Sequence, residues 1–107
     1  MVFVAVNKIF CVDSYREHFE TNFKSRVRAI DNRPGFLGVV VLRPKIDGEP
    51  YLILSKWESE AAFIAWTKSD DFHEGHKRSF SEMQEYKDRG EEPPLKSSLS
   101  TYEVLTY

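Results

Sequence analysis

The 107-residue sequence predicts an α+β fold of the ferredoxin-like type, β-α-β-β-α-α-β, with helices on one face of an antiparallel sheet. Three observations carry it. Alternating apolar runs open and close the chain, a pair of β-rich runs in the middle is joined by a turn containing Asp47-Gly48, and two helical stretches start at recognisable caps. One domain spans residues 1–107, and no internal repeat or low-complexity tract interrupts it.

Residues 2–11 form the first strand, with Val2, Val4 and Val6 on one face and Phe3, Ala5, Asn7 and Ile9 on the other. Ser14-Tyr15-Arg16-Glu17 matches a capping box, so a helix is expected from there to about Asp31 or Asn32, ended by Pro34-Gly35. Phe36 to Arg43 and Tyr51 to Trp57 are the paired strands, connected through residues 44–50. Ser59 opens a short helix, and Ser69-Asp70-Asp71 caps a second that runs from about 70 to 86. Residues 87–98 are polar, carry Pro and Gly, and read as a loop; residues 99–107 read as the last strand. Both faces of the first strand are apolar, so two sheets packed across a two-fold axis are expected to cover the face that holds Val2, Val4 and Val6.

Composition excludes several classes. The chain is 41% apolar and 30% charged with a net charge of −2, and its charges are interspersed, which gives no basic patch for nucleic acid. Cys11 is the one cysteine, so neither a disulfide framework nor a zinc-ribbon spacing is available. The apolar N-terminus lacks a basic leader and alternates like a strand; no signal peptide or membrane span is read, and the cytoplasm is the expected location. The aromatic share of 14%, with eight Phe and two Trp, favours flat contacts, suited to packing or to a flat ligand.

The candidate site residues are polar groups at core positions. Tyr15, Phe19, Phe23 and Ile30 make one stripe of the expected first helix, and Asn22 and Arg26 lie inside it. A buried guanidinium needs an anion, and an Arg at such a position otherwise snorkels to the edge or pairs with a carboxylate of its own chain. Asn7 shares its face with Phe3, Ala5 and Ile9 and needs partners there, the plainer one being backbone. His76 falls on one stripe with Phe72, Phe80 and Met83, and Phe63 and Trp66 stand one turn apart on the preceding helix. A lone His on an apolar stripe is commonly a hydrogen-bonded core residue. Taken together, these groups describe a pocket with aromatic walls, one imidazole, one amide and one cation. That inventory suits a flat apolar dianion with a metal at its centre. His73 and His76 bring no third metal ligand and no HExxH pattern. No nucleophile triad and no Gly-rich phosphate loop is present, so no flavin or nicotinamide site is read and any redox chemistry draws its electrons from outside.

The run Trp57-Glu58-Ser59-Glu60-Ala61-Ala62-Phe63-Ile64-Ala65-Trp66, with His76 ten residues beyond Trp66, resembles the IsdG-type haem-degrading monooxygenases of the antibiotic-biosynthesis-monooxygenase superfamily. Pro34-Gly35-Phe36-Leu37-Gly38 and Leu42-Arg43-Pro44 are similar to the mycobacterial haem-degrading branch. The similarity covers nearly the whole chain. Its functional motif is an Asn on the first strand, a Trp on the second helical segment and a His about ten residues later, matched by Asn7, Trp66 and His76. The resemblance implies a dimeric α+β barrel with one haem pocket per subunit. It implies His76 as axial ligand to haem iron, Trp66 pressing the macrocycle out of plane, and Asn7 hydrogen-bonding close to the iron. Arg26 matches a basic position that meets a haem propionate, and Phe23 and Phe63 match pocket walls; Asn22 and Phe72 complete the candidate cofactor-binding set. Haem would be both substrate and cofactor, opened by O2 with electrons from an external donor or reductase, with release of iron. The chain departs from the mycobacterial branch at Asn22, where that branch carries an Arg, and its stretch before His76 is one residue longer, as in the staphylococcal pattern. A cofactor-free quinol or polyketide oxygenase of the same superfamily and a haem-binding module that does not turn over are the competing readings.

Overall fold

The computed structural model describes residues 1–25 and 28–107. Four strands, β1 (Phe3–Cys11), β2 (Phe36–Leu42), β3 (Tyr51–Trp57) and β4 (Leu95–Glu103), form one antiparallel sheet in the order β2-β3-β1-β4. Helices α1 (Arg16–Lys24), α2 (Glu60–Thr67) and α3 (Asp70–Asp88) cover one face. The predicted order and the α+β class stand. β3 begins and ends where its sequence pattern does, and the caps of α2 and α3 are the expected ones. Ser59 Oγ accepts from the Ala62 backbone N–H at 3.2 Å, and Ser69 Oγ accepts from that of Phe72 at 3.1 Å.

Two boundaries differ from expectation. The first helix is short: a 3₁₀ turn at Asp13–Tyr15 precedes α1, no side chain caps α1, and Ala29–Asn32 form a separate 3₁₀ turn. Ser14 therefore caps nothing. At the other end Ser25 Oγ donates to the Thr21 carbonyl at 3.0 Å, a back-bond that competes with continuing the helix. The stripe Tyr15–Phe19–Phe23–Ile30 is consequently split, because Ile30 packs with a different cluster from Phe19. The last strand begins four residues earlier than expected and ends at Glu103. Lys96, Ser97 and Ser98 are polar, yet they pair with Phe10, Ile9 and Lys8. β4 is an edge strand, where polar side chains are tolerated and blunt association.

The register sorts the faces. Phe3, Ala5, Asn7 and Ile9 lie on the helix side with Tyr51, Ile53, Ser55 and Trp57, while Val4 and Val6 lie opposite with Leu52, Leu54, Val40 and Tyr102. On the helix side the core falls into two clusters. Phe3, Ala5 and Trp57 hold one end with Phe36, Ala62, Phe63 and Trp66 packed on them; Ile9, Phe19 and Tyr51 hold the other with Phe23 and Ile53. Trp57 is fully buried, and its indole N–H donates to Ser55 Oγ at 3.0 Å, which satisfies both polar groups.

Gly35 lets the start of β2 approach α2. Its φ is +80°, and a Cβ there would stand 2.6 Å from the Ala62 Cβ. The Gly35 carbonyl also accepts from the Glu58 N–H at 2.8 Å, tying β2 to the end of β3. Gly35→Ala is expected to lower stability by about 1–3 kcal/mol, from the left-handed backbone and the displaced α2 together. Urea unfolding checks it, and an unchanged midpoint would show that α2 is not held this closely.

Candidate active site

The two core clusters leave a row of the sheet between them. Val41 pairs with Ile53, Ile53 with Asn7, and Asn7 with Leu99, so these four side chains run across all four strands on the helix side. α1 packs over the Ile9–Tyr51 end and α2 over the Phe3–Trp57 end. The middle row is left less covered: Leu99 is 56% exposed although it faces the helices, and Asn7 is half-buried. A trough therefore crosses the sheet between the two clusters. At its β2 end it opens into a cleft of about 260 Å³ lined by Phe23, Lys24, Arg28, Val39 and Val41.

α3 bridges the trough. At one end the Phe72 ring stands edge-on to Trp66, centroids 5.6 Å apart, and Trp66 packs on the Phe3–Trp57 cluster. At the other end the Tyr15 hydroxyl, at the base of α1, donates to Glu82 Oε2 at 2.8 Å. Glu82 also meets Arg78 Nε at 3.2 Å and His18 Nε2 at 3.5 Å. Burial pushes the Glu82 carboxyl up, but the bonds from Tyr15, Arg78 and His18 outweigh it and hold the group below its ordinary range. Burial, and then the bond to Glu82, raises the Tyr15 hydroxyl above its ordinary value. His76 lies between these two anchors, about 6 Å along the helix from Phe72 and about 9 Å from Glu82.

The imidazole is held in one orientation. His76 Nδ1 is 2.7 Å from the Phe72 carbonyl oxygen, and the ring stacks on the Phe72 ring with centroids 4.1 Å apart. A carbonyl oxygen only accepts, so Nδ1 carries the hydrogen and the neutral ring keeps its lone pair on Nε2. That is the tautomer a metal ligand needs, with the second ring nitrogen satisfied by backbone. His73 is exposed, and no group of three metal-ligating side chains forms among the described residues.

The other predicted residues divide by place. Asn7 stands in the floor of the trough, and among the described residues its amide makes no side-chain hydrogen bond; the local bridge that the sequence left open is not formed. Phe23 lines the cleft. Phe63 contacts Phe3 and Trp57 at 5.4 and 5.9 Å and belongs to the core that walls one side. Phe72 buttresses His76, and Asn22 is half-buried on α1. Arg26 lies outside the described residues. Sequence reasoning passed over Lys24, Arg28, Val39 and Val41. The i, i+4 spacing of two cations just after the Phe23 stripe was the available signal for the first two. A second charged cluster, Glu20 with Arg43, Tyr51 and Arg16, ties α1 to the sheet. The bond from Arg43, then that from Tyr51, pulls the Glu20 carboxyl down to about 2.

Residues 2–78 match the family described as antibiotic biosynthesis monooxygenase. The chain belongs to that family. It is similar to the heme oxygenase (mycobilin-producing) of Mycobacterium tuberculosis, 37% identical over 79 residues, which are 72% of this chain and 75% of that protein. A heme-degrading monooxygenase of Listeria monocytogenes is 38% identical over 58 residues, 51% of this chain and 48% of that protein. Among solved structures, the M. tuberculosis heme-degrader MhuD, with two hemes bound in its active site, superposes with a TM-score of 0.73. That match is at 30% identity and covers 98% of this chain and 97% of that one. SnoaB, a cofactor-independent oxygenase from Streptomyces nogalater, superposes with a TM-score of 0.72 over 99% of this chain and 95% of its own, at 16% identity; that likeness is one of fold. The family read from the sequence is thus borne out.

The Tyr15–Glu82 bond holds the open end of α3 to α1, so it sets the width of the trough. Tyr15→Phe keeps the ring and removes the bond, and is expected to cost about 1 kcal/mol or somewhat more. Hydrogen exchange should quicken over the second half of α3; exchange unchanged there would assign the closure to packing alone.

Proposed function

We propose that this chain is a haem-degrading monooxygenase, opening the porphyrin ring with O2 and electrons from an external donor and releasing iron. The observation that carries the reading is His76. It is a half-buried imidazole on the bridging helix, orientated by the Phe72 carbonyl and ring so that Nε2 is left as a ligand. The named relatives that degrade haem support it.

The residues present fit the group. Neutral imidazole suits haem iron, and a backbone-tied Nδ1 is the usual supporting contact for such a ligand. The Ile53, Leu99 and Phe23 side chains offer apolar surface to a macrocycle, and Asn7 offers the one amide in the trough floor without a side-chain partner among the described residues. When bound, haem supplies the iron that activates oxygen and the ring carbon that is oxidised. The protein contributes position and exclusion. His76 Nε2 would hold the iron. Asn7 Nδ2 would donate a hydrogen bond to the bound ligand from the sheet side. Trp66, which packs on the Phe3–Trp57 cluster, would bear on the macrocycle from a firmly backed wall. Phe23, Phe63 and Phe72 exclude water. A contact of Arg26 with a carboxylate of the ligand rests on the resemblance alone, and Asn22 replaces the second cation that the resemblance would put there.

The open face of the sheet bears on assembly. Val40 and Tyr102 are more than half exposed there, beside Val4, Val6 and Leu54. A second copy packed on this face would form a homodimer and remove the patch from water. Sedimentation should give twice the chain mass, and Leu54→Glu should give monomer. A monomeric parent chain would rule this assembly out.

An absorption titration with hemin tests the function, followed by ascorbate in air with catalase present. One saturating Soret transition per site, then bleaching with release of iron, is the expected course. His76→Ala should abolish the axial ligation and lower turnover at least a hundredfold; full activity in that variant would overturn the assignment. A stable spectrum with every reductant would leave a binding module, and no saturable band would leave the cofactor-free reading.

A further inference from the structure

α3 bridges the trough without joining the core. None of its 19 residues is buried, and neither core cluster takes a side chain from it. Phe72, edge-on to Trp66, anchors the first turn. Beyond His76 the helix is held differently. Met83 and Tyr86 are half-buried, and among the described residues the side-chain hydrogen bonds and ion pairs from this half of α3 to another element converge on Glu82. Its Oε2 takes the Tyr15 hydroxyl at 2.8 Å and stands 3.5 Å from His18 Nε2, while Oε1 meets Arg78 Nε of the same helix at 3.2 Å. Tyr15 and His18 belong to the α1 side of the trough, so both of their contacts cross its open end.

The partners of Glu82 differ in how they answer to pH. Arg78 is permanently charged, and the Tyr15 hydroxyl, raised by burial and by its bond to Glu82, stays protonated. The Glu82 carboxyl is held below its ordinary range and stays ionised in weak acid. Imidazole is the group that changes charge between about pH 5 and 8, and the His18 side chain is 47% exposed, so its proton exchanges with water. Tyr15 faces His18 edge-on, with centroids 4.9 Å apart, and Tyr86 of α3 and Cys11 of β1 lie near the Tyr15 hydroxyl. Thr21 and Asn22, one turn on along α1, are uncharged. Glu82 is therefore the anion His18 meets, with the Arg78 guanidinium on the far carboxylate oxygen. Protonated His18 makes an ion pair across the opening, and the neutral ring keeps at most a hydrogen bond. The tie is tightest in weak acid and loosens as pH rises through the imidazole range.

We propose that Glu82, with Tyr15 and His18, forms a proton-tightened latch on the second half of α3 that gates the trough. The identity of the gated ligand rests on the haem reading above; the latch is a property of the ligand-free fold. A ligand must pass the same opening to enter and to leave, so a tighter latch slows both by one factor and leaves affinity unchanged. The plainer role for the cluster is a tie that steadies α1 against α3 without any effect on ligand exchange.

The discriminating experiment compares the parent chain with His18→Gln at about pH 6 and pH 8. Hemin association is followed by stopped flow, and dissociation by transfer to an excess of apomyoglobin. Both chains carry His76, so the parent-to-variant ratio at each pH removes the titration of the metal ligand. From pH 8 to pH 6 that ratio should fall about two- to fivefold for entry and for exit alike, with the ratio of affinities unchanged. A flat ratio, or a change in one direction only, overturns the gate while leaving the haem reading in place. Hydrogen exchange of the ligand-free chains provides a readout without hemin: residues 79–88 should be better protected in the parent than in the variant at pH 6 and equally protected at pH 8. Equal protection at both values overturns the latch, and better protection with flat rate ratios leaves a structural tie and overturns the gate. Glu82→Gln keeps an acceptor for Tyr15 and removes the anion; in that background His18→Gln should change neither rate, and a persisting pH-dependent ratio would also overturn the proposal. If the parent chain binds no hemin at either pH, the haem reading falls and the gating falls with it.

Discussion

Asn7 and Leu99 pair on the helix side of the sheet in the row between the two core clusters, and Ile53, on the other side of Asn7, packs against the Ile9–Phe19–Tyr51 cluster. A branched apolar side chain gains about 1.5–3 kcal/mol when fully buried, and Leu99 forgoes most of that. The gap stays open because each end is built to stop short of it. Trp57, Phe3 and Phe63 fill the space under α2, and Phe19, Tyr51 and Ile9 fill the space under α1. Neither cluster can slide into the row without opening a cavity in itself, and cavities in close-packed cores are costly. The trough is therefore a consequence of two rigid aromatic clusters set too far apart to merge.

The polar groups are arranged around that gap. Glu82 and Glu20 each sit at a place where α1 must be held, one against α3 and the other against the sheet, and each is saturated by hydroxyl and cationic partners. The acids near the site are in this way consumed in fixing the walls. In the proposed reading, His76 on the bridge and Asn7 on the floor are left for a ligand. An imidazole ligand and an amide donor set in apolar walls suit a flat metal-bearing molecule, and the fold class alone would not have said so.

Much of this was legible in the sequence, for local reasons. β3 and the caps at Ser59 and Ser69 depend on side chains within a few residues of each other, so pattern and structure agree. The placement of His76 on the same stripe as Phe72 was a matter of helical period, and the stacked pair follows from it. Where the reading missed, distant contacts decided. Tyr15 fits the helical period of the α1 stripe, but it precedes that helix and reaches Glu82 across the molecule. Ile30 fitted the period of one long helix and belongs to another cluster. Lys96, Ser97 and Ser98 looked like loop because an edge strand needs no apolar pattern. The uncovered row could not be seen at all, since it depends on which strands are neighbours. Asn7, Ile53 and Leu99 meet only through strand pairing between distant stretches of chain.

The central claim is that the trough between the two clusters is the haem site and that His76 on α3 is its metal ligand. A crystal structure of the hemin complex tests it most directly. The account predicts iron bonded to His76 Nε2 at about 2.0–2.2 Å, with the ring lying over Asn7, Ile53 and Leu99. Iron held by His18 or His73, or a ring seated on the opposite face of the sheet against Val4 and Leu54, would contradict it.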